Sequence, residues 1–377
     1  MRIAYFVHDL SDAAVLRRVR MLRERGAEVS VLGFRRTAAA PAFVHDAPAV
    51  DLGRSFDGRL GRRALGVVRQ VLRAPALADV RGAQVVLARS LEMLVVGDAA
   101  RRAHAPNARL AYECLDVHRL MVSPGPAGRL LRALERAILR RAQLLIVSSP
   151  AHLTSYFEPR QGLNRSLRLP VLTVENKVFE LPAARPRGCV PARRPGPPWR
   201  IGWFGMLRCR RSLELLSQLA RRRPGQVEVV IGGRPSEREF ADFEADVART
   251  PGMIFAGAYA PEDLEALYGS VHFSWAIDYF EEGANSRWLL PNRLYEGGRY
   301  GAAPIALKGT EVGRWLEQRG LGLVVEDPLY DLERFFGDLD AGAYRTLEEK
   351  SRRAPPEWFR AGTGDCGRLL QALGGLA

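Results

Sequence analysis

Between residues 271 and 307 the chain reads VHFSWAIDYFEEGANSRWLLPNRLYEGGRYGAAPIAL, two apolar runs separated by a long polar stretch. The runs Val271 to Ile277 and Ala303 to Leu307 have the length and unbroken hydrophobicity of strands covered on both faces, as in a parallel sheet flanked by helices. Between them stand Asp278, Glu281, Glu282, Asn285, Arg287, Trp288 and Asn292, and a short helix opened by Pro291. In an open α/β sheet, ligands sit in the crevice beyond the carboxyl ends of strands, where loops and helix N-termini meet. A polar loop in that position is expected to hold a ligand.

The alternation of apolar run and helix continues along the whole chain. Residues 2 to 7 (RIAYFV) read as a buried strand, Val15, Val19 and Leu22 recur on a helix closed by Gly26, and EVSVLGF is the next strand. The first turn, HDLSDAA, lacks glycine and is no dinucleotide fingerprint. His8, Asp9 and Asp12 line it, with N-cap of the first helix an equally good role for Asp12. Strands are expected at 83–88, 109–114 and 143–149; after the second, LDVHR places Glu113, Asp116 and His118 at a strand's carboxyl end. Two helices, 59–73 and 128–141, are amphipathic, the first with Leu60, Ala64, Val67, Val68 and Val71 opposite Arg59, Arg62, Arg63, Arg69 and Arg73. That pattern fits an ordinary surface helix or contact with anionic lipid.

Residues 181–199 (LPAARPRGCVPARRPGPPW) are too rich in Pro and Arg for strand or helix and are expected to separate two domains. The second half restarts with RIGWFG (200–205), the turn MLRCRRS and a helix, then strands at 227–233 and 253–257. A chain of 377 residues is too long for one ordinary core. The expectation is an α/β protein with a domain at 1–180, a linker at 181–199, a domain at 200–355 and a terminal helix at 356–377.

A net charge of +14 admits nucleic acid, an anionic membrane surface or phosphate-bearing small molecules as partners. Only Lys177, Lys308 and Lys350 among the 56 basic residues are lysines, and such an arginine excess also follows from base composition, so charge alone selects none of them. Aromatic residues do not interleave with basic ones on any element, which argues against a nucleic-acid stacking platform. The four cysteines show no ligand spacing and imply neither a disulfide framework nor zinc. No uncharged apolar run reaches about 18 residues and the chain opens directly into a strand, so the expected location is the cytoplasm.

The segment PNRLYEGGRYGAAPIAL resembles the donor-nucleotide motif of GT-B glycosyltransferases, especially the family-4-like bacterial enzymes of exopolysaccharide assembly. The resemblance implies two Rossmann-like, doubly wound domains facing a central cleft, the first for the acceptor and the second for a nucleotide diphosphate sugar. It further implies a metal-independent hexosyltransferase without a cofactor. Its acceptor would be a saccharide, typically polyprenyl-diphosphate-linked, and it would work peripherally at the inner face of the cytoplasmic membrane. The terminal helix would cross back to the first domain, with Asn176 near the hinge.

In the resembled family a Glu in the position of Glu296 bonds the ribose hydroxyls, and a second Glu eight positions earlier contacts the sugar; here that position is Trp288. His118 matches a histidine beside the donor sugar. The family's basic pair for the diphosphate falls on Arg211 and Met206, with Arg208 or Arg210 able to supply the missing charge. The candidate catalytic residues are therefore His118, Asp116 and Arg211. The candidate donor-binding residues are Glu296, Arg208, Arg210, Asn292, Arg293, Gly205 and Asn285. Asp338-Leu339-Asp340 spells the DxD of metal-dependent GT-A enzymes, but it falls in a helical stretch and is expected to face solvent. The missing Glu at Trp288 also fits a relative that binds nucleotide sugar without catalysis.

Overall fold

The computed structural model describes residues 1–55, 60–181 and 193–375, the side chains of 60–65 and of Pro75 excepted. The chain divides into two compact units, Met1–Glu175 with Ala361–Ala377, and Asn176–Arg360. The division falls at Glu175 and Asn176, ahead of the Pro- and Arg-rich stretch, of which 182–192 lie outside the described residues.

In the first unit the strands are β1 (Arg2–Val7), β2 (Glu28–Arg35), β3 (Phe43–Val44), β4 (Ala47–Arg54), β5 (Val85–Arg89), β6 (Arg109–Cys114), β7 (Leu144–Val147) and β8 (Val171–Thr173). They lie in the order β3-β4-β2-β1-β5-β6-β7-β8, every pair parallel except β3 with β4. The central strands are mostly apolar because helices cover both faces, the buried pair Arg89 in β5 and Glu113 in β6 being charged. Five of these helices matter below: α1 (Ala13–Arg23), α2 (Leu60–Leu72), α3 (Leu91–His104), α4 (Arg119–Val122) and α5 (Pro126–Leu139). The C-terminal helix, Thr363–Gly374, belongs to this unit; it buries Cys366, Leu369, Ala372 and Leu373, and Arg25 donates to the Thr363 carbonyl at 3.2 Å.

In the second unit β9 (Val178–Phe179) is held by the Val178 N–H, which donates to the Phe359 carbonyl at 2.9 Å. The main sheet has β10 (Trp199–Leu207), β11 (Val227–Pro235), β12 (Met253–Phe255), β13 (Phe273–Trp275), β14 (Ala303–Leu307) and β15 (Leu323–Val325). They lie in the order β12-β11-β10-β13-β14-β15, all parallel. Its core is unusually aromatic, with Trp199, Trp203, Phe273 and Trp275 almost wholly buried. The run expected as a strand over 271–277 keeps strand geometry only at Phe273–Trp275, while 303–307 matches. Asp338 ends one helix and Asp340 caps the next, its Oδ1 accepting from the Ala343 N–H at 2.7 Å, so the DxD tripeptide is an exposed helix joint rather than part of one helix.

Two buried carboxylates in the first unit have opposite characters. Glu113, expected at the site, points instead into the interior of β6. There it takes Arg18 Nε at 2.6 Å, Arg89 Nε at 2.8 Å and the Tyr5 hydroxyl at 2.6 Å. Burial alone would raise its pKa; the charges of Arg18 and then Arg89 outweigh that and hold it at about 2, below its ordinary 4.5. Its contribution to stability is therefore complete above pH 4.5 and lost as pH falls toward 2. Glu135, on α5, makes no salt bridge among the described residues: Tyr112 donates at 3.0 Å to one oxygen, and the Tyr156 hydroxyl and Gln161 amide donate to the other. Burial pushes it up to about 7, and the three hydrogen bonds and the charge of Arg136 only partly offset that.

Glu113→Gln is expected to destabilise the protein by about 3–5 kcal/mol, because it strands two buried guanidinium groups; urea unfolding at pH 7 measures this. Glu135 carries the opposite sign. Its stabilising contribution is complete below pH 4.5 and lost as pH rises through about 7. Glu135→Gln should therefore flatten the stability profile over that interval, by about 3 kcal/mol relative to the parent across the shift from 4.5 to about 7.

Candidate functional site

A doubly wound sheet opens a crevice where strand order reverses direction. In the second unit the order runs outward from β10 through β11 to β12, then returns to the other side of β10 with β13. The reversal point is between β10 and β13, and beyond the carboxyl ends of these two strands come the turn after Leu207 and the polar loop after Ile277. Gly205, two residues before the end of β10, has φ +119° and pairs with Gly233, where any Cβ would lie 1.8 Å from the Gly205 carbonyl oxygen. Only glycine fits there, and the paired backbones leave the crevice floor without side chains.

The turn and the loop are fastened to one another by stacked cations. The Arg208 guanidinium lies 4.4 Å from the centre of the Phe280 ring and that of Arg211 4.2 Å from Tyr279. Arg211 also donates to both Glu282 oxygens at 2.8 Å, in an exposed pair. Arg210 turns the other way, over the Phe240 ring at 5.3 Å and 4.0 Å from Glu239. Arg208 and Arg211 thus border the crevice together, and Arg210 stands apart from them. The loop is ordered by its own groups: Asp278 accepts from the Phe280 N–H at 2.7 Å, and Ser286 Oγ from the Glu281 N–H at 2.8 Å. Asn285 is buried at the start of the one-turn helix Asn285–Trp288, and Trp288 is half-buried at its end.

The helix Asn292–Arg299 presents Glu296 half-buried, its Oε2 accepting from the Tyr268 hydroxyl at 3.0 Å. The Tyr259 hydroxyl is pushed well up, by burial first and then by the Glu296 charge, and the Tyr259 ring packs against the position of Gly232. Gly297 and Gly298 let this helix lie close on its neighbours, since a Cβ on Gly298 would meet Phe359 at 2.1 Å. Asn292 is exposed on the first turn. Arg293 is buried and committed to the Ile277 carbonyl at 3.1 Å and to Asp278 at 3.5 Å, so it braces the polar loop from beneath.

In the first unit the reversal point is between β1 and β5, with β6 alongside. Asp12 caps α1, accepting from the Ala14 N–H at 2.7 Å, and pairs with His8 at 3.2 Å. Asp9 is buried and held by Ser11 at 2.7 Å and Arg36 at 3.2 Å. Beyond β6, Asp116 and His118 are exposed. His118 caps α4, its Nδ1 accepting from the Leu120 N–H at 3.2 Å, which places the ring proton of the neutral form on Nε2. In that form the His118 Nε2–H is a hydrogen-bond donor, and the nearby Asp116 carboxylate is an acceptor.

Asp116 and His118 lie at one edge of a cavity of about 650 Å³ that the sequence did not foreshadow. Its walls come from Val67 and Val71 of α2, Val95 of α3, Met121 of α4, and Leu131 and Leu134 of α5; Glu135 and Tyr156 stand deeper. Ser90 borders it too, in a backbone conformation (φ +76°, ψ 160°) that residues with a Cβ rarely adopt. Its hydroxyl is shielded from solvent and has no hydrogen-bond partner among the described residues. Among the described residues no group of three or more His, Cys, Asp or Glu is placed to hold a metal, and no helix is long and apolar enough to cross a membrane.

No family model matches the chain. Succinoglycan biosynthesis protein ExoL of Rhizobium meliloti (strain 1021) is 44% identical over 382 residues, covering 100% of this chain and 94% of that protein. Among solved structures, sucrose-phosphate synthase from Thermosynechococcus elongatus matches with a TM-score of 0.73 at 14% identity, over 100% of both chains. Anabaena HepE, in complex with UDP and glucose, matches with a TM-score of 0.66 at 15% identity, over 98% of both. Two parallel sheets with this strand order, and identity along the full length, lead to one assignment: the chain belongs to the family of the succinoglycan biosynthesis protein ExoL and has the GT-B fold of glycosyltransferases.

Proposed function

We propose that this member of the ExoL family transfers a hexosyl group from a nucleotide diphosphate sugar to a hydroxyl of a saccharide acceptor in exopolysaccharide assembly. The second unit holds the donor and the first the acceptor. The observation that carries the reading is Glu296, a half-buried carboxylate steadied by Tyr268 on a helix whose Gly297 and Gly298 pack it against the sheet. A carboxylate so placed accepts two neighbouring ribose hydroxyls in charge-assisted bonds. HepE, of the same fold, is seen with UDP and glucose, which makes UDP-glucose the first donor to test.

Charge on the departing diphosphate falls, in this reading, to Arg208 and Arg211 at the turn after β10 rather than to a metal; stacked guanidiniums keep their N–H edges for phosphate oxygens. The acceptor is proposed to be polyprenyl-diphosphate-linked, with the protein working in the cytoplasm against the membrane's inner face. Exposed Leu72 and Leu130 beside the arginine-bearing helices support that location. One observation favours a non-catalytic relative instead: Trp288 stands where the resembled motif has a sugar-contacting Glu. That reading predicts nucleotide-sugar binding without turnover, which a transfer assay separates from binding.

Glu296→Gln should weaken UDP-glucose binding by about 1–3 kcal/mol in a folded protein, as read by calorimetric titration. Unchanged affinity would remove Glu296 from the site. For the acceptor side, NMR of the product's anomeric centre decides the mechanism. If the configuration inverts, Asp116→Asn should lose about a hundredfold or more in turnover, as expected of a general base. If it is retained, Asp116→Asn should keep most activity while His118→Ala loses it.

A further inference from the structure

The cavity of the first unit is a feature that neither the sheet nor the donor site explains. Protein interiors hold few voids larger than a water molecule, and apolar ones stay dry and bind hydrocarbons. At about 650 Å³ this one has the volume of a ligand pocket rather than a packing fault. It is also asymmetric. Along α2 and α5 its lining is aliphatic and reaches the surface at Val68, Leu72 and Leu130, which are 55%, 77% and 70% exposed. At the other edge stand Ser90, Asp116 and His118, at the carboxyl ends of β5 and β6. Exposed Arg69 and Arg73 follow Val68 and Leu72 in the chain, and exposed Arg119 and Arg129 precede Leu120 and Leu130.

An occupant matching this surface is an amphiphile with one hydrocarbon chain and an anionic group. We propose that the cavity enclosed by α2, α3, α4 and α5 seats the hydrocarbon chain of the acceptor, with the acceptor's polar end along Ser90, Asp116 and His118. The inference rests on the transferase reading only for the word acceptor; the cavity's preference for a chain stands on its lining. Ser90 is then a positioning residue. Its strained backbone and shielded hydroxyl place an unused donor where the polar end would lie.

The test uses the full chain and n-alkyl monophosphates from hexyl to dodecyl, below their micelle concentrations, with inorganic phosphate as control. Affinity by calorimetry should rise about fourfold for each added methylene until the cavity is full, and then level off. Val95→Phe and, separately, Leu131→Phe reduce the space and should abolish the chain-length dependence while UDP-glucose affinity is unchanged, which also shows that the variant is folded. A folded variant that binds dodecyl phosphate like the parent overturns the proposal. So does binding to phosphatidylglycerol vesicles with no binding of the soluble series, which would make the rim a surface contact only. If the parent binds dodecyl phosphate in a chain-length-dependent way but not UDP-glucose, with filled variants judged by their unfolding transitions, the cavity proposal is upheld and the donor assignment fails.

Discussion

A parallel strand buried on both faces can carry polar chemistry only at its ends, and both sheets of this protein obey that restriction. The interior of each strand must be apolar or internally paired, because helices cover it on either side. Where strand order reverses, two neighbouring connections leave in opposite directions and their ends stay uncovered. In the second unit this happens between β10 and β13, and there the chain has a glycine pair, two stacked arginines and the long polar loop. In the first unit it happens between β1 and β5, where Asp9, Asp12 and the strained Ser90 stand. The candidate chemistry therefore follows from topology before it follows from residue type.

β6 shows how closely structural and functional carboxylates can be spaced. Glu113 lies within the strand and is neutralised by Arg18 and Arg89, whereas Asp116, three residues on, is exposed beyond it. A single buried carboxylate between two guanidiniums joins α1, β5 and β6, and also receives the hydroxyl of Tyr5 on β1. That hub fixes the strand end from which Asp116 and His118 extend. The placement of Asp116 and His118 thus depends on an ion cluster buried within the sheet.

Strands were legible because continuous apolar runs admit few other readings; 109–114 and 303–307 match residue for residue. Glu113 was misplaced because its partners are 95 and 24 residues away, and in a chain so rich in arginine nothing marks two of them as buried. Helix α5 shows the limit from the other side. Its amphipathic pattern left open which way the stripe of Leu130, Leu134 and Ile138 faces, and Leu130 and Leu134 are exposed at 70% and 39% while Glu135 is inside. A carboxylate one position from an aliphatic stripe is invisible to periodicity, because its hydrogen-bond partners Tyr112, Tyr156 and Gln161 come from elsewhere in the chain. The cavity was illegible for the same reason, being a property of how four helices stand apart and not of any one segment. Nothing in the motif separates Arg208 and Arg211, which lie over Phe280 and Tyr279 of the polar loop, from Arg210 and Arg293, which do not.

The difference among those arginines is one of commitment. Arg293 is buried, and removing its contacts with Ile277 and Asp278 would leave a guanidinium stranded, so it cannot be lent to a ligand. Arg211 is paired to Glu282 at the surface, where such a pair contributes about 0–1 kcal/mol. Its planar contact with Tyr279 fixes where the cation lies, while its hydrogen-bonding edge is held only by that weak partner. In the proposed donor site a phosphate oxygen would compete with one exposed carboxylate, and the ring would keep the guanidinium in place during the exchange. Tyr279 and Phe280 would then be the structural half of that site, since they order two cations without consuming their charge.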